Sequence, residues 1–291
     1  MNRLPDLLAV LAPVYLCVAA GYFWARAGRG FDLAFVTAFA YVLGAPSLVF
    51  SAIHRAPLDA GEVAGMAGAA FLALGACGAL GVGGLALARR NLAGVPPLAL
   101  PCAGAMGLSV ARDAFGAEGL ALGAVFLAVA LFAQSTLGRA AAAARWDAAT
   151  LAGSPIAWGV LAALALAALP GTPPRWALNT TWLLGGTVVP VALIAQGVVL
   201  ARAPWRESLA AWPIALGRVG IGLAAGLAVA AALGLDGAAR AIVILETAMP
   251  VALLWPIYRA RAADSDGALA ETAASIVLGL IVLPGLVVWL V

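Results

Sequence analysis

Glu246 is an acid set inside an apolar stretch, Ala241-Ile-Val-Ile-Leu-Glu246-Thr-Ala-Met-Pro250, four residues ahead of a proline. A carboxylate at membrane depth is costly unless it has a partner or water, so by default it marks a functional position. Pro250 removes a backbone N–H and cannot sit in an unbroken helix without freeing a carbonyl. Irregular backbone at that depth persists only where it is buried in protein or lines a cavity. Two chemistries follow for Glu246. It can carry a proton, or it can join the hydroxyl of Thr247 and the carbonyls freed beside Pro250 in an oxygen cage for Na+. The alternative is a structural acid paired with a polar group of a neighbouring helix.

A second cluster lies at Pro101-Cys102-Ala-Gly104-Ala-Met-Gly107-Leu-Ser109. A proline followed by two glycines favours a helix break over a simple kink. N–H groups freed at the start of the following half-helix would suit a carboxylate ligand. Arg112 follows on the outer side, where it can draw anions toward the break; an exposed ion pair with Asp113 is the equal alternative. Arg218 is expected to snorkel from within two turns of the inner interface, with a pairing to Glu246 as the lesser alternative. Gln134 and Gln196 are expected to hydrogen-bond between helices. His54 stands alone and is not read as a ligand. Cys17, Cys77 and Cys102 read as small packing residues. No histidine–carboxylate cluster, Cys-x-x-Cys, phosphate-cradling loop or nucleophile elbow occurs, so an enzyme is not expected, nor is a resident cofactor beyond a coupling Na+ or H+.

The elements that must position these residues follow from composition. The chain of 291 residues is 65% hydrophobic and 10% charged, with mean hydropathy +1.06. A globular surface needs far more charge, so an all-α polytopic membrane protein is expected, with lipid around it. Each span takes about 20 apolar residues. The apolar runs divide into ten, near Asp6–Ala25, Phe31–Ile53, Val63–Ala88, Val95–Asp113, Gly119–Leu137, Leu151–Leu169, Trp176–Leu200, Ala211–Leu233, Ala238–Tyr258 and Ala268–Val291. They make a single transmembrane domain over 1–291, whose first run is read as a retained helix rather than a signal peptide.

All sixteen cationic side chains are arginines, spread over short loops. They form no basic stripe, so no nucleic-acid partner is expected. With the first loop inside, ten arginines fall on the inner side, Arg259 and Arg261 among them, and five on the outer. The positive-inside rule then places both termini outside, in a bacterial inner membrane. Trp24, Trp146, Trp205 and Trp212 near the inner edges, with Trp176 and Trp289 near the outer, read as an interfacial belt.

The chain also repeats. Pro13, Pro46 and Pro101 are matched by Pro155, Pro190 and Pro250, at offsets of 142, 144 and 149 residues. Five spans per half make the halves inverted: repeat one about 1–145, repeat two about 146–291. Interrupted helices at equivalent places of an inverted repeat are a transporter signature, with the substrate near the midplane.

At this point the chain resembles the auxin efflux carrier family. The residues that carry the resemblance are Tyr41-Val-Leu-Gly-Ala-Pro46-Ser-Leu-Val-Phe50, Gly107-Leu-Ser-Val-Ala-Arg-Asp-Ala-Phe-Gly116-Ala-Glu-Gly-Leu-Ala121, Val189-Pro190-Val-Ala-Leu-Ile-Ala-Gln-Gly197 and Ala248-Met249-Pro250. The resemblance implies scaffold helices one, two, six and seven, and a moving core of helices three to five and eight to ten. It also implies that broken helices four and nine cross, that small organic anions are carried, and that copies pair through the scaffold. Asparagines usual in that family are Cys102 and Leu254 here, and a usual proline is Ser109, so the substrate does not carry over. Glu246-Thr-Ala-Met249 resembles the crossover of the bile-acid sodium symporters, where a glutamate helps ligate sodium. The function expected is secondary transport of small organic anions, of carboxylate type, by alternating access. Pro101, Cys102, Gly104, Gly107, Ser109, Thr247, Met249 and Pro250 are expected at the crossover, Glu246 couples H+ or Na+, and Arg112 attracts anions. The alternatives are an uncoupled carrier with a structural Glu246 and a sodium–solute symporter.

Overall fold

A computed structural model describes residues 3–56, 58–167, 169, 171–260 and 265–291. Arg261, one of the inner arginines, lies outside them. Among the described residues the regular structure is helical. Helix α1 (Arg3–Arg26) contains Pro13 and continues through it. Helix α2 (Leu33–Phe39) runs through a π-helical turn, Ala40–Gly44, into α3 (Ala45–Arg55). The side chain of Asp32 caps α2 by accepting from the Phe35 N–H. Helix α4 (Ala60–Leu87) starts from a capping box, in which Asp59 and Glu62 accept each other's backbone N–H. Such caps satisfy donors that a helix start leaves open.

Helix α5 (Val95–Ala99) is short and ends at an irregular stretch, followed by α6 (Met106–Ala133). Gly116 divides α6, with φ +65° and ψ −144°. In a straight helix residues 108 and 123 would lie about 22 Å apart. Instead a Cβ placed on Gly123 would fall 2.7 Å from the Leu108 side chain and 3.4 Å from Ala111 Cβ. The two arms, 106–115 and 117–133, therefore fold back on each other as a hairpin.

After a second π-helical turn, Gln134–Gly138, come α7 (Arg139–Ala143), α8 (Ala148–Ala152) and α9 (Pro155–Ala167). Helices α10 (Arg175–Gly185) and α11 (Val188–Arg202) are separated by a two-residue turn just ahead of Pro190. Helices α12 (Trp205–Ala210) and α13 (Trp212–Ala232) follow, then α14 (Gly237–Thr247), a second irregular stretch, α15 (Leu254–Ala260) and α16 (Ser265–Leu290).

Seven stretches among the described residues are long and apolar enough to cross a membrane: Pro5–Arg26, Leu33–Arg55, Ala60–Leu87, Met106–Ala143, Arg175–Arg202, Trp212–Ala232 and Asp266–Leu290. The chain is thus a polytopic helical protein of membrane type. Ten spans were expected, and the difference lies at three places. The fourth and ninth runs are interrupted by irregular backbone, and the sixth holds only the 13-residue α9.

Small residues set the closest helix contacts. A Cβ on Gly21 would strike the Ile194 carbonyl, and one on Gly197 the Val18 carbonyl, so α1 and α11 touch backbone to backbone. This is the small-residue packing expected where no water drives helices together. Helix α3 packs on α9 and α10, while α13 packs on α4, α14 and α16, and α14 on α6.

Candidate functional site

The two interruptions meet. Pro101 and Val251 face each other in an isolated antiparallel bridge. The Cys102 N–H donates to the Pro250 carbonyl at 2.6 Å, and the Ala252 N–H to the Leu100 carbonyl at 3.2 Å. An antiparallel pair held by two such bonds asks no N–H of Pro101 or Pro250, so both prolines are tolerated there. Neighbouring side chains serve groups that the bridge leaves over. Gln134 Nε2 donates to the Pro101 carbonyl at 2.7 Å. Ser275 Oγ accepts from the Val251 N–H at 2.9 Å and donates to the Thr272 carbonyl. Buried backbone needs this satisfaction.

Glu246 occupies the last turn of α14 and is fully buried. Among the described residues neither carboxylate oxygen has a hydrogen-bond partner. The backbone N–H of Gly104 faces the carboxylate without reaching hydrogen-bond geometry. Gly107, second residue of α6, makes the room: a Cβ there would collide with the Glu246 carboxyl group. From the returning arm, a Cβ on Gly123 would lie 3.6 Å from Glu246 Oε1. The carboxylate thus sits in a niche between two glycines, against the positive N-terminal end of α6. A carboxylate ligand was expected at this half-helix start, and the protein's own glutamate fills the position. Gly104 has φ +104°, a conformation that favours glycine, and a Cβ there would meet the Leu127 side chain at 2.6 Å.

Arg218 does not snorkel. It is fully buried, and its guanidinium donates to the carbonyl of Met249 at 3.1 Å and to those of Leu98 and Thr247. The Cys77 thiol lies against it. Arg218 makes these bonds, rather than a pair with Glu246, because freed helix-end carbonyls compete for it. The hydroxyl of Thr247 donates back to the Val243 and Ile244 carbonyls.

A second polar group lies on the α11 side of the bridge. Gln196 Nε2 points at Cys102 Sγ at 3.4 Å, and its Oε1 is buried without a partner. The Tyr41 hydroxyl and the Leu253 N–H also lie against the Cys102 thiol. Gln134 and Gln196 both reach across helices, as expected for intramembrane amides. Tyr41 was not singled out by the sequence reading as a site residue; its place in the π-helical turn ahead of Pro46 was the available signal.

Ser109 is buried in the first turn of the α6 arm. Met249 and Pro250 lie in the second break, beside the bridge. Arg112 pairs with Asp113 at 2.7 Å while half exposed. A cavity of about 390 Å³ between α4, α5 and the returning arm reaches Leu100 but is lined almost wholly by apolar side chains such as Phe71, Leu74 and Phe132. It offers nothing to hold an anion. A far smaller one, about 10 Å³, touches the bridge at Leu100 and Ala252 between Gln134, Trp255 and Tyr258. Comparison with known proteins finds no matching family model and no matching curated protein.

Proposed function

We propose that the chain is a secondary transporter of the bacterial inner membrane that moves a small organic anion of carboxylate type by alternating access. The observation that carries this reading is the Pro101–Val251 bridge between two interrupted helices, with the unpartnered Glu246 carboxylate beside it. An inert bundle gains nothing from breaking two helices at one depth, whereas transporters bind substrate and coupling ions at such breaks.

In this reading the chain crosses the membrane ten times: the long stretches count seven, and α9 and the two interrupted helices add three. The halves form an inverted repeat. Support comes from matched irregularities, since both the π-helical turn before Pro46 and the turn before Pro190 precede a proline, and Pro101 and Pro250 both sit in breaks. Helices α1 to α3 and α9 to α11 make the scaffold, and α4 to α6 and α13 to α16 the moving core. The amide of Gln196, the Tyr41 hydroxyl and the Leu253 N–H supply donors for an anion where core meets scaffold. The small cavity at Gln134 and Tyr258 lies on the α15 side of the bridge, cytoplasmic by the arginine distribution.

Glu246 couples this movement to an ion gradient. An uncoupled carrier with a structural Glu246 is the second reading, favoured by the complete enclosure of the carboxylate. Purified protein in liposomes, offered radiolabelled dicarboxylates, tests the substrate class: saturable uptake supports it, and neither uptake nor binding of any organic anion contradicts it.

A further inference from the structure

Three main-chain carbonyls converge at the crossover on a single cation, and that cation is a side chain. Leu98 lies in the last turn of α5, Thr247 ends α14, and Met249 lies in the break that follows. The C-terminal end of a helix is its negative pole and leaves carbonyls without intrahelical donors. In transporters with interrupted helices, such carbonyls coordinate the coupling cation. Here all three accept from Arg218.

The helix that delivers Arg218 is shaped for the purpose. Arg218, Gly222 and Gly226 follow one another at intervals of four and so share one face of α13. A Cβ on Gly222 would strike the Thr247 carbonyl, and one on Gly226 the Thr247 hydroxyl and, at 2.9 Å, Ile244 Cα. The glycines let α13 lie against the end of α14, and Arg218, one turn earlier, brings its guanidinium to the freed carbonyls. Removing one partner of a buried charge leaves the others uncompensated, at considerable cost.

We infer that Arg218 is a resident cation, a positioning residue that holds the ends of α5 and α14 in the way a coupling sodium holds such ends elsewhere, and that it makes the crossover independent of sodium. The ligation stands on geometry alone; its consequence for transport rests on the transporter reading above. Within that reading, Na+ loses the carbonyl oxygens it would need beside Pro250, and H+ is left as the coupling ion for Glu246. Charged or titratable groups on the elements packed against α14 near this point are Arg218 on α13, Cys77 on α4 and, at the far end of its arm, the Arg112–Asp113 pair on α6; Cys102 lies in the break before α6.

Thermal unfolding of the purified protein in detergent tests the inference without any substrate, so its failure is separate from failure of the transporter reading. The wild type is expected to melt at the same midpoint in sodium chloride and in choline chloride. Arg218→Ala is expected to melt several degrees lower and to recover at least half of that loss in millimolar guanidinium, but not in the same concentration of urea. Should Arg218→Ala give no folded protein, Arg218→Lys replaces it; this variant is expected to fold and to remain insensitive to sodium. A sodium-dependent rise in the wild-type or Arg218→Lys midpoint overturns the inference. So does an Arg218→Ala variant as stable as the wild type, or one to which guanidinium and urea are equivalent.

Discussion

The Gly107 backbone and the Glu246 carboxyl group are in contact so close that no side chain fits between them. One residue opens α6 and the other closes α14, so the contact ties the two interrupted helices together beside their bridge. Gly107→Ala is therefore expected to displace the carboxylate and destabilise the protein by about 1–3 kcal/mol, the usual range for overpacking. In Gly107→Ala combined with Glu246→Ala, most of that loss should disappear. Unfolding midpoints of the four proteins in the cycle measure this coupling; additive losses would show that the contact is not what Gly107 protects.

Gln134 supplies the donor for the Pro101 carbonyl. Gln134→Leu keeps the bulk and leaves a buried acceptor unpaired, for an expected loss of about 1–3 kcal/mol. The same substitution should slow transport, because the bridge loses one of its braces. Thermal unfolding and initial uptake rates check the two effects separately.

The contact of α1 with α11 is a sharper test of packing. Gly197→Ala places a methyl group on the Val18 carbonyl and is expected to cost most of the folded, monodisperse protein in size-exclusion chromatography. Gly220 on α13 has open space where its Cβ would be. Gly220→Ala should be neutral or stabilising by up to about 1 kcal/mol, the helix-propensity difference.

Much of this arrangement was legible in the residues. Glu246 and Pro250 stand out because an acid and a proline violate an apolar helix in the same place, and Pro101, Gly104 and Gly107 violate another. That the breaks bond to each other is not legible from spacing, since the residues are 150 positions apart (Pro101 to Val251); a crossing of the two is expected from the inverted repeat and from the family resemblance. Distance to an interface alone makes Arg218 a snorkelling residue, whereas the face it shares with Gly222 and Gly226 turns it to the end of α14. That spacing marks a face of α13 pressed against another backbone. The reversal was legible too: the gap between the fourth and fifth runs, 114–118, is where Gly116 turns the chain with a positive φ. Tyr41 and Gln196 meet at Cys102 from two separate helices, a juxtaposition that no local pattern encodes.

The central claim is that Glu246, at the crossed breaks, couples anion movement to an ion gradient. Glu246→Gln keeps the shape and removes the charge from a fully buried niche in which neither oxygen is hydrogen-bonded among the described residues, so the variant should fold with an unchanged or higher melting midpoint. The most direct measurement compares two activities of this variant in liposomes: exchange of labelled for unlabelled anion, and uptake driven by a proton gradient. The account predicts that exchange persists while gradient-driven accumulation is lost. A Glu246→Gln protein that still concentrates the anion against its gradient as the wild type does would contradict it.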